Sequence, residues 1–342
     1  MINTLIVDDS SLARDILRDF LEGDENFSII GEAVDGEDGV SKILSMNPDL
    51  VTLDLEMPKM NGLEVIEAVM KKASVPIVVI SSHDTAKIAY EATLKGALEF
   101  YSKDLFTSNL SPGKRNEIYE TLKRISGIKS RKSADQSIGS AAPFINEQPE
   151  KRVIHAVVVA SSTGGPKALS KFLSLLPGNL PVPVIIVQHN SSGFDESFAQ
   201  WLGTFSSLRV KLAEEGEGPK PGVVYISVTG KHLELHGNAG QDLVMRYSDG
   251  ESENNQKPAA DVLFRSAAES LGQSVISVVL TGMGSDGAAG TGRIREMGGI
   301  TLAQDEKSSL IYGMPKAAAE TGCVDMILPL ESIPEEIVRL TK

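Results

Sequence analysis

The chain of 342 residues predicts an α/β protein in two domains, each built on a mainly parallel sheet. Three observations carry that expectation. Residues 1–125 alternate short β-branched runs with amphipathic stretches, the pattern of βα units. Residues 126–150, SGIKSRKSADQSIGSAAPFINEQPE, lose all periodicity and read as a flexible linker. From 151 to 342 a second alternation begins, with longer apolar runs.

In the first half the strands are NTLIVDD, FSIIGEAV, DLVTLDL, PIVVISS and LEFYSK. LARDILRDFL, DGVSKILSM, GLEVIEAVMKK, AYEATLKG and NEIYETLKRI carry apolar residues at helical spacing, giving five strands and five helices. In the second half VIHAVVVA, VPVIIVQH, SVISVVLTG, GITLAQ and DMILPL read as buried parallel strands with helices between them, a doubly wound arrangement. The short, turn-punctuated segments between 208 and 248 read as an antiparallel excursion.

Composition narrows the function classes. A hydrophobic share of 41% with 23% charged residues is that of a globular chain, and 5% aromatics offer little base-stacking surface. The net charge of −13 repels phosphate backbones, so no nucleic-acid partner is expected. A single cysteine, Cys323, excludes an intrachain disulfide and a thiolate metal cluster, which suits a cytoplasmic location. MINTLIVDDSSLAR meets acids too early for a signal peptide, and no membrane insertion is expected.

Asp8 and Asp9 end the first strand, Asp54 the third, Ser81 and Ser82 the fourth, and Lys103 the fifth. In a parallel sheet these ends share one edge, where ligands bind. Crowded carboxylates repel one another unless a hard cation neutralises them, which suggests Mg²⁺. A carboxylate beside such a cation and a lysine can accept a phosphoryl group. The arrangement, with EMPKMNG after Asp54, resembles the receiver domain of response regulators over almost all of residues 1–125. The resemblance implies a flavodoxin-like (βα)5 fold, phosphorylation at Asp54 and Mg²⁺ held by Asp8, Asp9 and Asp54. It also implies switch roles for Ser81 and Phe100, a phosphoryl contact from Lys103, and a CheA-type histidine kinase as phosphodonor. Asp104 departs from that family, which usually has a cis proline after the lysine.

ASSTGGPKAL, at 160–169, follows a strand and opens a helix. It can be a phosphate cradle, a plain capping turn or the seat of a nucleophile, and it holds two serines. The missing Gly-Lys-Ser/Thr ending disfavours a phosphate loop. The next strand ends on His189, whose imidazole can accept a serine proton. The strand after the excursion ends in a loop with Asp286, able to hold the other imidazole nitrogen. GMGSDG in that loop matches a dinucleotide-binding pattern, yet an acid among the turn amides opposes a pyrophosphate. The remaining histidines carry less. His155 reads as a residue within a strand, packing or partly exposed, His83 as a surface loop residue, and one of His232 and His236 as facing solvent, with too few ligands nearby for zinc.

ASSTGGP, VQHN, PAADVLFRSAAES, LTGMGSDGAAG, AQDEKSSLIYGMP and GCVDMILPL together resemble the catalytic domain of the chemotaxis protein-glutamate methylesterase/glutamine deamidases, the CheB family, over roughly 152–340. That resemblance implies Ser162, directly before Thr-Gly-Gly, as nucleophile, His189 as general base and Asp286 as its orienting acid. Backbone N–H groups of Met283 and Thr163 would hold the oxyanion, methylated chemotaxis receptors would be the substrate, and no metal would serve the esterase. HNSSGFDESF and ISVTGKHL depart from the family, which often has Met-Pro and Ala-Pro there. The linker's length leads to the expectation that the receiver covers the serine loop until Asp54 is phosphorylated. Two rival classes are a phosphorylation-gated transcription factor, which lacks a visible basic helix-turn-helix, and a catalytically silent receptor-binding adaptor.

Overall fold

The computed structural model describes residues 1–82, 86–107, 110–128, 153–191, 193–238 and 242–342. His83 and residues 129–150, most of the expected linker, lie outside the described residues. The chain divides into two units, Met1–Ile138 and Gly139–Lys342.

The first unit has five parallel strands, β1 (Ile2–Val7), β2 (Phe27–Ala33), β3 (Leu50–Leu53), β4 (Ile77–Ser81) and β5 (Glu99–Ser102). Their order β2-β1-β3-β4-β5 is the flavodoxin-like one. The connecting helices are α1 (Ser11–Glu22), α2 (Gly36–Met46), α3 (Gly62–Met70), α4 (Ala86–Lys95), α5 (Asp104–Thr107) and α6 (Pro112–Ser126). Local chemistry starts them: Ser10 accepts the Ala13 N–H at 3.3 Å, and Asn61 with Glu64 forms a capping box on α3. Tyr119 of α6 donates its hydroxyl to the Phe20 carbonyl at 2.5 Å, which anchors the last helix to the first. Two details differ from expectation. The single turn α5 is additional, and α6 includes Ser126, with Gly127 closing it and Ile128 packed on the core. The aperiodic stretch therefore begins after 126.

The second unit has a seven-stranded sheet of β6 (Ala156–Ser161), β7 (Val184–Gln188), β8 (Arg209–Leu212), β9 (Val223–Ile226), β12 (Val275–Val279), β13 (Ile300–Gln304) and β14 (Met326–Leu328). The order is β14-β13-β12-β6-β7-β9-β8, and every neighbouring pair is parallel. A separate antiparallel hairpin pairs β10 (His232–His236) with β11 (Val244–Ser248). The helices are α7 (Gly165–Ser174), α8 (Asp195–Gly203), α9 (Ala260–Leu271), α10 (Ala288–Glu296), α11 (Met314–Glu320) and α12 (Ser332–Leu340). The antiparallel excursion is thus shorter than expected, since β8 and β9 extend the main sheet in parallel and only β10 and β11 form a hairpin. Every residue of β6, β7, β12 and β13 is buried, as expected for strands with helices on both faces.

In both sheets the chain leaves a central strand in opposite directions, and the crevice between such strands is where ligands bind. The switch falls between β1 and β3 in the first unit and between β6 and β12 in the second. Among the described residues no helix is long and apolar enough to cross a membrane.

Candidate functional site

At the first switch point Asp8 follows β1 and Asp54 follows β3, 1% and 4% exposed. Lys103 Nζ donates to Asp54 Oδ2 at 2.8 Å and makes an ion pair with Asp8 Oδ2 at 2.8 Å. The pairing with Asp8 has ionic distance but not hydrogen-bond geometry. Ser81 Oγ donates to Asp54 Oδ1 at 3.2 Å, and the Leu55 N–H to the same oxygen at 2.8 Å. Ligand atoms of Asp8, Asp9 and Asp54 lie within 4.8 Å of one another. Burial pushes the Asp8 carboxyl above its ordinary value, and Lys103 only partly offsets that. Burial would lower Lys103, but its pairing with the Asp54 and Asp8 carboxylates holds it above the ordinary lysine value. Three oxygen donors with one buried carboxylate oxygen lacking a hydrogen bond are the donor set of a hard divalent cation, and Mg²⁺ fits it.

Phe100 is buried against Tyr90 with ring centroids 4.9 Å apart and planes at 82°. The Lys103–Asp104 peptide is not cis. The Asp104 N–H donates to Ser102 Oγ at 3.3 Å, a bond that proline cannot make, and α5 starts there.

Next to the second switch point the ladder of β6 and β7 pairs Ser161 with Gln188, so the next residues, Ser162 and His189, leave adjacent strands side by side. The two serines differ in environment. Ser161 is fully buried with its hydroxyl given to Gln188 Oε1 at 2.7 Å, whereas Ser162 is half-buried. Among the described residues the Ser162 hydroxyl has no hydrogen-bond partner, His189 included. Gly164, at φ 77°, supplies the left-handed turn into α7, and Pro166 sits in the first turn.

His189 Nε2 lies 2.8 Å from Asp286 Oδ2, and His189 Nδ1 is buried without a partner. Asp286 sits in the loop between β12 and α10, 2% exposed. Its Oδ2 also accepts the Ala260 N–H at 2.6 Å. Its Oδ1 accepts the N–H groups of Asp261 at 3.0 Å and Gly287 at 3.1 Å, and Asn254 Nδ2 at 3.3 Å. Burial alone would raise this carboxyl, but His189 and the backbone donors outweigh it and hold it below the usual carboxylate range. The carboxylate thereby serves as the missing cap of α9, whose N-cap Ala259 has no side-chain bond to offer. The same geometry disposes of the dinucleotide pattern, because the Gly287 amide that a pyrophosphate needs is already taken by Asp286.

The N–H groups of Thr163 and Met283 donate to nothing among the described residues. Thr281 Oγ1 donates to the Thr163 carbonyl at 3.1 Å and accepts the Ile311 N–H at 3.0 Å, tying the loops around these amides together. Three further residues emerge only here. Gln188 joins the serine and histidine loops, Asn254 bridges Asp286 and Asp261, and Asp261 accepts the Gly290 N–H at 2.6 Å. The motif VQHN contains the first, yet a strand-end glutamine carries no sign of its partners. His155 precedes β6 and is half-buried. His232 is buried with both nitrogens engaged, by Glu251 O at 2.8 Å and the Ala259 N–H at 3.1 Å, and His236 is exposed.

These two strand-end sites define the class as a response regulator, a receiver joined to an α/β output domain with a serine, histidine and carboxylate at its switch point. The CheB methylesterase family matches residues 157–337, and the response regulator receiver domain matches 4–111. A protein-glutamate methylesterase/protein-glutamine glutaminase of Clostridium acetobutylicum is 38% identical, covering 100% of this chain and 98% of that protein. One from Pyrococcus abyssi is 39% identical over 99% of this chain and 93% of that protein. The crystal structure of the Thermotoga maritima CheB methylesterase catalytic domain is similar with a TM-score of 0.53 and 40% identity, covering 55% of this chain and 98% of that one. The chain belongs to the CheB methylesterase family.

Proposed function

We propose that the protein hydrolyses glutamyl methyl esters on chemotaxis receptors to methanol and a free carboxylate, deamidates receptor glutamines by the same route, and is controlled by phosphorylation of Asp54. The observation that carries this reading is the state of His189. One ring nitrogen is bound to Asp286 at 2.8 Å, and the other is buried and unpartnered in the residue beside Ser162.

An ionised Asp286 favours the tautomer with the proton on His189 Nε2, which leaves the Nδ1 lone pair as the base. In the reaction the Ser162 Oγ would attack the ester carbonyl while Nδ1 takes its proton. The free N–H groups of Thr163 and Met283 suit the oxyanion of the tetrahedral intermediate. As the C–O bond to the methoxy group breaks, Nδ1 returns its proton and methanol leaves. Water then attacks the acyl-enzyme with Nδ1 again as base, and the carboxylate and Ser162 are released.

In the first unit Asp8, Asp9 and Asp54 would hold Mg²⁺, which neutralises charge on a transferring phosphoryl group. An Asp54 oxygen takes the phosphoryl from the phosphohistidine of a CheA-type kinase, breaking the P–N bond. Lys103 and Ser81, already bonded to Asp54, would turn to the phosphoryl oxygens, and Phe100, in the strand that leads to Lys103, would follow.

Methanol release from methylated receptor membranes tests the reading, with and without a small-molecule phosphodonor. Wild type is expected to release methanol faster with the donor, Asp54→Ala to ignore it, and Ser162→Ala to release none. Full activity in Ser162→Ala would refute the hydrolytic assignment and favour a different centre.

A further inference from the structure

Gln188, the last residue of β7, is 3% exposed, and its amide is fully used. Oε1 accepts the Ser161 hydroxyl at 2.7 Å, while Nε2 donates to the Ser162 carbonyl at 3.0 Å and the His189 carbonyl at 2.9 Å. Those partners dictate the amide's orientation, since a flipped amide would set Oε1 against two carbonyl oxygens. The neighbouring helix makes room for it, because a Cβ at Gly165 would collide with the Gln188 amide. The parallel ladder between β6 and β7 ends at Ser161 and Gln188, with one further bond from the His189 N–H to the Ser161 carbonyl at 3.1 Å. Beyond that bond, Gln188 is the side chain that ties the Ser162 backbone to the His189 backbone.

We propose that Gln188 is a positioning residue, setting the separation and mutual orientation of the Ser162 hydroxyl and the His189 ring. The inference rests on the roles given to Ser162 and His189 above. Gln188 touches neither substrate nor reacting atoms. It acts because a nucleophile and a base carried on two loops need a shared brace, and a misplacement of about 1 Å costs on the order of 100-fold in rate. Both amide protons serve that brace, so the effect follows the donors and not the volume of the side chain.

Gln188→Met keeps the length and removes the donors. Gln188→Glu keeps the shape and sets a carboxylate against two carbonyls, regaining one donor only when protonated. Both variants are expected to lose about 100-fold in kcat with KM within about twofold of wild type. Labelling of Ser162 by a fluorophosphonate is expected to slow in parallel. The deficit of Gln188→Glu should deepen as pH rises, whereas that of Gln188→Met should be constant, a signature that a purely structural loss does not give. Val187→Ala, in the same buried strand, controls for lost stability and is expected to keep kcat near wild type. Gln188→Glu preserves the packing, so a failure of Gln188→Met to fold leaves the test standing. A folded Gln188→Glu with wild-type kcat and a flat pH ratio overturns the proposal. A wild type that releases no methanol, or a Ser162→Ala that still does, overturns the underlying reading and this inference with it.

Discussion

Replacing Asp286 with asparagine removes one charge and exchanges one acceptor for a donor, and its outcome follows from five contacts. The Oδ1 side faces three donors, the N–H groups of Asp261 and Gly287 and the amide of Asn254, at 3.0, 3.1 and 3.3 Å. The Oδ2 side faces the Ala260 N–H at 2.6 Å and His189 Nε2 at 2.8 Å. The asparagine oxygen therefore takes the Oδ1 place, and its NH2 points at His189. Nε2 must then become an acceptor, which moves the ring proton to Nδ1 and removes the base proposed for Ser162. The same tautomer change in the chymotrypsin-type triad lowers kcat by about 10⁴-fold, and a loss of that order is expected here. Stability falls as well, because the Ala260 N–H is left buried and a charge-assisted cap is lost. Together these cost about 2 to 4 kcal/mol, or about 4 to 16 °C in melting temperature for a unit of this size. Steady-state methanol release and calorimetry on the full chain measure both. A folded Asp286→Asn protein with kcat within about tenfold of wild type would refute the tautomer argument.

Because Asp286 titrates below its unfolded value of about 3.9, its stabilising effect is complete above that pH and is lost as pH falls through the lower native value. The acid-side slope of the second unit's melting temperature should flatten in Asp286→Asn, and identical slopes would count against the depressed value. In the first unit, MgCl₂ at about 100 times its dissociation constant is expected to add about 2.7 kcal/mol of stability in wild type and none in Asp54→Asn. An equal shift in both would place the cation elsewhere. In magnesium-free buffer Asp8→Asn should raise the receiver's melting temperature at neutral pH, since burial already opposes the Asp8 charge; a lowered value would mean that the Lys103 pairing outweighs burial. Fluorophosphonate should label Ser161→Ala and leave Ser162→Ala unlabelled, and the opposite pattern would move the nucleophile to the buried serine.

Strands β6, β7 and β12 are legible in the sequence because helices cover both faces and leave runs such as VIIV without alternation. Their ends then deliver Ser162, His189 and the Asp286 loop to one crevice. The direction of β8 and β9 is not legible, since each has only four residues, and in runs that short a parallel and an antiparallel neighbour demand the same side chains. His232 and His236, four apart, share a strand face. What separates them is the Glu251 carbonyl and the Ala259 amide lying over the first, groups supplied by a distant segment. Asp286 is visible as an acid in a turn, but its surroundings are mostly main-chain amides, which every residue possesses and no residue type announces. The Ser81, Lys103 and Asp54 cluster is legible for the opposite reason, because each member is a side chain at a strand end. Asp104 shows where a departure from pattern reshapes a loop, its amide making a bond that the usual proline would forbid.

The helix that begins at Ala260 borrows its terminal charge from a residue 26 positions later, and the same carboxylate orients the imidazole. Two stretches of chain that look independent are therefore one inherited module. Chimeras between relatives with a crossover between 260 and 286 would bring together a helix and an acid that had never been matched, whereas crossovers outside that interval would carry the pair intact. A shuffled library sorted for folding and for esterase activity should show both properties failing at the same breakpoints.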